Sequence, residues 1–412
     1  MHRIVSYFAL SLAFAPALLA ADWNQFRGPA GNGHTDAKLP TEWGTSKNVS
    51  WRKELPGLGW SSPAIAGENV YLTTAVAQGE EYSLRALCLN VKTGDTVWDQ
   101  EVFKQGADAT KPHKKNSHAS PTPIVEGGKV YVHFGHMGTA CLNANDGSKV
   151  WAKQELKYTP VHGNGGSPAL AGNHLIFSID GTDKQAVIAL DKTTGAIAWQ
   201  TPRNNKTGAN PFSFSTPVLI KVKDQKQLVS AGSGVVMALD PKTGKEIWRA
   251  TYGGGYSVVP KPVYANGLVY VCTGYNTANL VAVKPDGKGD VTATHIAFTV
   301  KKNVPLNPSI LAVDDALYMI SDNGVLSCLD AKKGTERWNE RVSGNFSSSP
   351  LLADGLVYLL DEAGTTTVFK PGESYEEIAK NKLGEKTQAS CAVHGDALLL
   401  RTEKALYRIE KK

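Results

Sequence analysis

Eight short segments hold most of the side chains in this sequence that could do chemistry. They read LGWSSP (58–63), KNSHASP (115–121), HGNGGSP (162–168), FSFSTP (212–217), GYSVVPKP (255–262), VPLNPS (304–309), GNFSSSP (344–350) and KTQASC (386–391). Between them they offer aromatics (Trp60, Phe212, Phe214, Tyr256, Phe346), amides (Asn116, Asn164, Asn307, Asn345, Gln388), the histidines His118 and His162, and Lys261. Brought together in one concave site, such a mixture stacks on and hydrogen-bonds a polar organic ligand, a sugar or a short peptide. The same residue types also cap strands, pack loops and hold channel water. His118 and His162 offer a base or two metal ligands, but two are too few for a zinc site and no third is placed by spacing. Hydrogen-bonded structural histidines are the expectation for both, and His136 in FGHMG sits at a hairpin end. No GxSxG, HExxH, Walker A or EF-hand pattern occurs, so no catalytic residue and no metal ligand is assigned. GNGGSP and YGGGY lead into strands and not into a helix N-terminus, which argues against phosphate binding there.

What would bring eight distant segments together is a repeat. The pattern A/C-x-D/N-x-x-x-G-x-x-x-W occurs at Cys88–Trp98, Cys141–Trp151, Ala189–Trp199, Ala238–Trp248 and Cys328–Trp338. Two degenerate copies close on Phe298 and Ile378, and NVSWRKEL around Trp51 supplies a closing strand before any repeat has begun. The steps between closing positions suit one four-stranded blade each. Small-polar-Pro starts leading into hairpins also number eight, offset by one from the endings. The last unit lacks its outer strand and the Trp51 strand supplies it, closing a ring without a free edge. The expected fold is therefore all-β, an eight-bladed β-propeller over residues 49–412. In it Gly94, Gly147, Gly195, Gly244 and Gly334 make tight turns. The Asp or Asn four residues earlier bonds the turn's backbone. Trp51, Trp98, Trp151, Trp199, Trp248 and Trp338 are buried docking residues between blades rather than ligand contacts. The eight chemistry-bearing segments then meet at the mouth of the central funnel.

Residues 1–20 are different material: a basic start, an apolar middle and small residues at the end, expected to be a secretory leader cleaved near Ala20 or Ala21, with an uncleaved anchor as the alternative. No later stretch reaches the ~18 apolar residues of a membrane helix. The expectation is a periplasmic or secreted monomer with no membrane anchor after cleavage. The net charge of +6 comes without a long cationic run, which argues against a nucleic-acid partner. Cys88, Cys141 and Cys328 fall at one repeat position. On stacked sheets ~10 Å apart that exceeds the ~7 Å reach of a disulfide, so the five cysteines are expected to be buried small residues. Residues 21–48 lack a strand period and are expected to run as an extended clasp anchored by Trp23 and Phe26, with a disordered tail as the alternative.

ALDKTTGAIAW (189–199) and ALDPKTGKEIW (238–248) resemble the tryptophan-docking repeat of the pyrroloquinoline-quinone (PQQ) propeller superfamily, and the resemblance covers nearly all of the chain beyond the leader. Members include quinoprotein alcohol dehydrogenases and the outer-membrane-assembly propeller lipoprotein of Gram-negative bacteria. The dehydrogenases imply PQQ, a Ca²⁺ ion, an Asp base, roofing loops and often a vicinal Cys-Cys. This chain has no Cys-Cys, no CxxCH and no sizeable insertion to roof a cofactor, and no Ca²⁺ ligand maps onto it. It also lacks the lipidated Cys of the scaffold protein. The resemblance therefore implies an exported, non-enzymatic binding or scaffold propeller, engaging a protein or polysaccharide ligand at its funnel face and holding no cofactor. The alternative is a PQQ- and calcium-dependent alcohol or sugar dehydrogenase. A glycan-processing enzyme would need paired carboxylates at the funnel, which the strand-start segments lack.

Overall fold

The middle strands of every unit are apolar on both faces. Val235–Leu239 and Ala316–Ile320 are buried at every residue, whereas outer strands such as Glu336–Arg341 are mostly exposed. A sheet covered on both sides reads as a continuous apolar run, while an edge strand stays polar. Radially packed sheets satisfy both. The computed structural model describes residues 22–107, 110–205 and 210–412 and arranges them in eight sheets, with almost no helix. The expected leader lies outside the described residues. The fold is an eight-bladed β-propeller.

Blade 1 runs Ala64–Ala66, Asn69–Gln78, Glu81–Asn90 and Thr96–Gln105 from axis to rim. The next six follow the same plan, their inner strands beginning at Ile124, Ala169, Val218, Val263, Leu311 and Leu351. Blade 8 takes three strands from residues 392–409, and Val49–Glu54 pairs antiparallel along Ala405–Ile409 as its fourth. Two blades depart from the plan. In blade 7 the fifth strand is His34–Thr35, paired parallel with the inner strand Leu351–Ala353. The insertion after Val283 lays Gly289–Asp290 against the outer strand of blade 4, giving that sheet a fifth strand.

The repeat pattern has a direct geometric cause. The small residue that opens it is the cross-strand partner of the tryptophan that closes it: Cys88 faces Trp98, Cys141 faces Trp151, Ala189 faces Trp199 and Cys328 faces Trp338. Each indole then reaches the turn of the next blade. The Nε1–H of Trp51, Trp98 and Trp151 donates to the carbonyls of Val91, Ala144 and Lys192 at 3.2, 2.9 and 3.0 Å. Gly94 (φ 78°) and Gly244 (φ 73°) therefore serve twice, adopting the left-handed turn and leaving space for an indole within 3 Å of where a Cβ would stand. Asp191 and Asp240 each accept two backbone N–H bonds inside their turns, closing them locally.

Three expectations need correcting. Trp98, Trp151 and Trp248 are buried, but Trp51, Trp199 and Trp338 are half-buried, because the rim leaves one edge of the ring to solvent. In blade 7 the residue in the tryptophan's place is Ala379, opposite Val368. Ile378 falls in the bulge one residue earlier and is 42% exposed, so the closing position is shifted by one. Finally, residues 22–35 do more than run along the propeller as an extended clasp. The carbonyls of Trp23 and Asn24 accept from Ile65 and Val125 in the inner strands of blades 1 and 2. Arg27 then donates to Ile310 of blade 6, and Gly33 accepts from Leu352 of blade 7. The segment crosses the central channel before turning outward to seat Trp43 against Tyr358. All five cysteines are free and buried.

Candidate functional site

The segment that crosses the channel makes the funnel blind. Phe26 lines the floor of a cavity of about 610 Å³ whose walls are the loops at the starts of the inner strands. The structure brings seven of the residues singled out from sequence into this wall: Trp60, Asn116, His162, Phe214, Tyr256, Asn307 and Gln388. It places six elsewhere. His118 turns back onto the Tyr82 ring at 4.3 Å. Asn164 is spent on Tyr158 and the Phe134 carbonyl, at 2.7 and 3.1 Å. Phe212 sits behind the wall, buried against His162, Phe214 and Tyr256. Phe346 is core, and the exposed Asn345 contributes its carbonyl to Glu362 N–H at 2.7 Å. Lys261 is buried under the N-terminal segment, its amine against Gly31.

His118 and His162 do not converge. His162 lies 5.3 Å from the ring of His113, and burial and then His113 lower its affinity for a proton. Among the described residues no group of three His, Cys, Asp or Glu is placed to hold a metal ion.

Several residues at the mouth escaped the sequence reading. Residues 110–118, leading into blade 2, reach across it, so that Lys115 Nζ meets Glu362 Oε1 at 2.9 Å and Asp322 Oδ1 at 3.9 Å on blades 7 and 6. Asp322 is fixed by the Leu306 and Asn307 N–H groups, at 2.6 and 3.3 Å, and Glu362 by Ser347 Oγ at 2.6 Å. Lys115 thus holds two carboxylates at the mouth, and the segment leading into blade 2 braces the funnel. Both acids come from the turns SDNG and DEAG between second and third strands. These D-containing turns were a signal, but strand starts alone were read as facing the funnel.

The second omission is a ring. The residue two before each inner strand is Ser62, Thr122, Ser167, Thr216, Lys261, Ser309, Ser349 or Ser390, so seven positions carry hydroxyls and blade 5 carries a lysine. The hydroxyls link blades: Ser62 N–H donates to Thr122 Oγ1 at 3.0 Å, Thr122 N–H to Ser167 Oγ at 2.9 Å, and Ser167 N–H to Thr216 Oγ1 at 2.9 Å. After the break, Lys261 N–H donates to Ser309, Ser309 to Ser349, Ser349 to Ser390 and Ser390 back to Ser62, at 2.9–3.1 Å. All seven hydroxyl residues line the cavity. Burial and the nearby Arg27 guanidinium bring the Lys261 ammonium down to about 7, and burial brings Arg27 and Arg401 to about 9.

A fold and a lined cup of this kind can be set beside known proteins. The family model described as outer membrane protein assembly factor BamB matches residues 41–160, 118–305 and 299–406. The chain belongs to this family. Among curated relatives, the outer membrane protein assembly factor BamB of Moranella endobia is 22% identical over 253 residues, covering 58% of this chain and 61% of the relative. The quinoprotein ethanol dehydrogenase of Pseudomonas putida is 29% identical over 150 residues, covering 32% of this chain and 23% of the relative. The matches thus span less than two thirds of these two relatives' own length. Among solved structures, BamB from Moraxella catarrhalis superposes with a TM-score of 0.60 at 13% identity, over 85% of this chain and 94% of that one. That likeness speaks for the propeller fold.

Proposed function

We propose that this family member is an exported, non-enzymatic binding or scaffold propeller that engages a segment of a protein partner at its funnel face. The observation that carries the reading is the blind cup: about 610 Å³, within the range of ligand pockets, lined by aromatic rings, amides and a ring of hydroxyls. Such a lining grips backbone and side-chain polar groups. Membership of a family described as an outer membrane protein assembly factor supports a protein partner, while the hydroxyl and aromatic lining suits a polysaccharide end as the finer alternative. No helix among the described residues is long and apolar enough to cross a membrane, and the reading places the protein in the periplasm or outside the cell.

The lining does not suit a quinone held with calcium. Calcium takes roughly six to eight oxygens, carboxylates among them. Asp322 is the sole carboxylate residue among those lining the cup, and it is already engaged by two backbone N–H groups and Lys115.

The test is site-specific photo-crosslinking in cells that make the protein. One probe replaces Tyr275 at the mouth, 56% exposed, and another replaces Ile197 on the rim, 54% exposed. A discrete protein adduct from position 275 and none from 197 is the expected result. Adducts confined to the rim would move the binding surface away from the funnel.

A further inference from the structure

The hydroxyl ring is chemically one-sided. Each of its seven oxygens accepts a backbone N–H from a neighbouring blade or, for Ser309, from Lys261. None donates its own proton to a protein acceptor among the described residues. All seven residues are at least nine-tenths buried, from 2% exposure at Ser62 to 7% at Ser390, and all line the cup. A hydroxyl carries one donor and two acceptor positions. Here an acceptor position is filled and the donor is free, so the floor presents a circle of donors with no complementary acceptors.

The charges behind that circle have the same bias. Lys261 occupies the eighth ring position, 5% exposed, and forms no ion pair with a carboxylate among the described residues. Arg27, 2% exposed, donates to the carbonyls of Ile310 and Asn32, and its Nε has no partner. Arg401, 2% exposed, donates to the Ser61 and Thr73 carbonyls beside the ring, again with Nε unpartnered. The buried arginine near blade 3 behaves otherwise: Arg203 meets Asp180 at 2.7 Å. Buried charges are normally paired. Water can satisfy hydroxyl donors, but it does not balance the two buried arginines, to which Lys261 adds a third charge when protonated. The one carboxylate of the cup, Asp322, stands at the mouth and not at the floor.

We propose that the floor of the cup is an oxyanion site that takes the carboxylate end of a peptide segment, the ring hydroxyls donating to its oxygens and Lys261, Arg27 and Arg401 supplying the field. The blind floor fits this: Phe26 stops a chain from threading through, so a segment enters by its end. The inference rests on the reading that the funnel binds protein, and it names the group recognised. An inorganic oxyanion has the same chemistry, and the test separates the two sources.

The purified chain is titrated by calorimetry with N-acetyl-trialanine as the free acid, with its C-terminal amide, and with inorganic phosphate. Variants are Ser309→Ala/Ser349→Ala and Lys261→Met, each first shown to melt cooperatively; should the lysine variant not fold, the serine pair carries the test. The expected result is at least tenfold tighter binding of the acid than of the amide, with most of that difference lost in the variants. Equal binding of acid and amide overturns the oxyanion site while leaving the funnel reading standing. Ring-dependent binding of phosphate alone keeps the oxyanion site and removes the peptide as its source. No binding of any probe overturns the proposal and leaves a ring that holds water only.

Discussion

His133 shows how far a single group's position can set the protein's response to pH. It is 2% exposed, paired with Thr139 Oγ1 at 2.8 Å and packed on Phe177 at 4.2 Å between ring centres. Burial, with a smaller contribution from His136, brings its proton affinity down to about 3. The unfolded chain protonates this histidine near pH 6.5. Below that pH the unfolded state binds a proton that the folded state refuses, so stability is full above 6.5 and falls as pH drops toward 3. The contribution is at most about 1.4 kcal/mol per pH unit. Urea unfolding between pH 6 and 4 should therefore give a shallower pH dependence for His133→Gln than for the parent. Parallel curves would assign the acid sensitivity to other buried groups. The same scale separates the candidates: Phe214 lines the cup while Phe212 packs behind it, and Asn116 lines it while His118 packs on Tyr82.

Within the blade, the unit of stability is the tryptophan, its small cross-strand partner and the next blade's glycine. Trp248 is fully buried because the insertion strand Gly289–Asp290 covers its blade, and its indole N–H turns to Gln227 Oε1 at 2.9 Å. Trp338 keeps one edge in water. Trp248→Ala is expected to cost about 3–5 kcal/mol and Trp338→Ala about 1–2 kcal/mol, read by urea unfolding; the reverse order would mean that the insertion does not protect its blade. Gly244→Ala is expected to cost roughly 2–3 kcal/mol, since it adds a methyl group within 3 Å of the Trp199 ring at a positive φ. The repeat was legible because this contact recurs with the same spacing. Blade 7 was read one residue out because Val368 opposite Ala379 reverses the usual small–large order and leaves no tryptophan to anchor the frame.

Across the whole ring, residues 22–45 both stabilise the propeller and close its channel. Trp23, Leu39 and Trp43 are buried in the same core as blades 1, 7 and 8. A chain beginning at residue 46 keeps the closing strand Val49–Glu54 but loses the floor. It should retain β-sheet circular dichroism, melt several degrees lower, and show greater acrylamide quenching of the fluorescence of Trp60, which lines the cup. Unchanged quenching would mean that the cup is closed by something other than this segment.

The sequence alone determined the propeller, its eight units and the direction in which most loops meet, because a blade's contacts are nearly all with itself and its neighbour and repeat at a fixed spacing. It also brought forward seven of the cup's residues, since inner-strand starts must face the axis. The blind floor, the Lys115 brace and the donor ring were decided only by tertiary structure. Arg27 meets Ile310 across 283 residues, and Lys115 meets Glu362 from the far side of the ring. The ring lies one residue per blade, so its members become neighbours only when the circle closes. Contacts across an axis have no period in the chain, and a pattern read along the sequence carries no record of them.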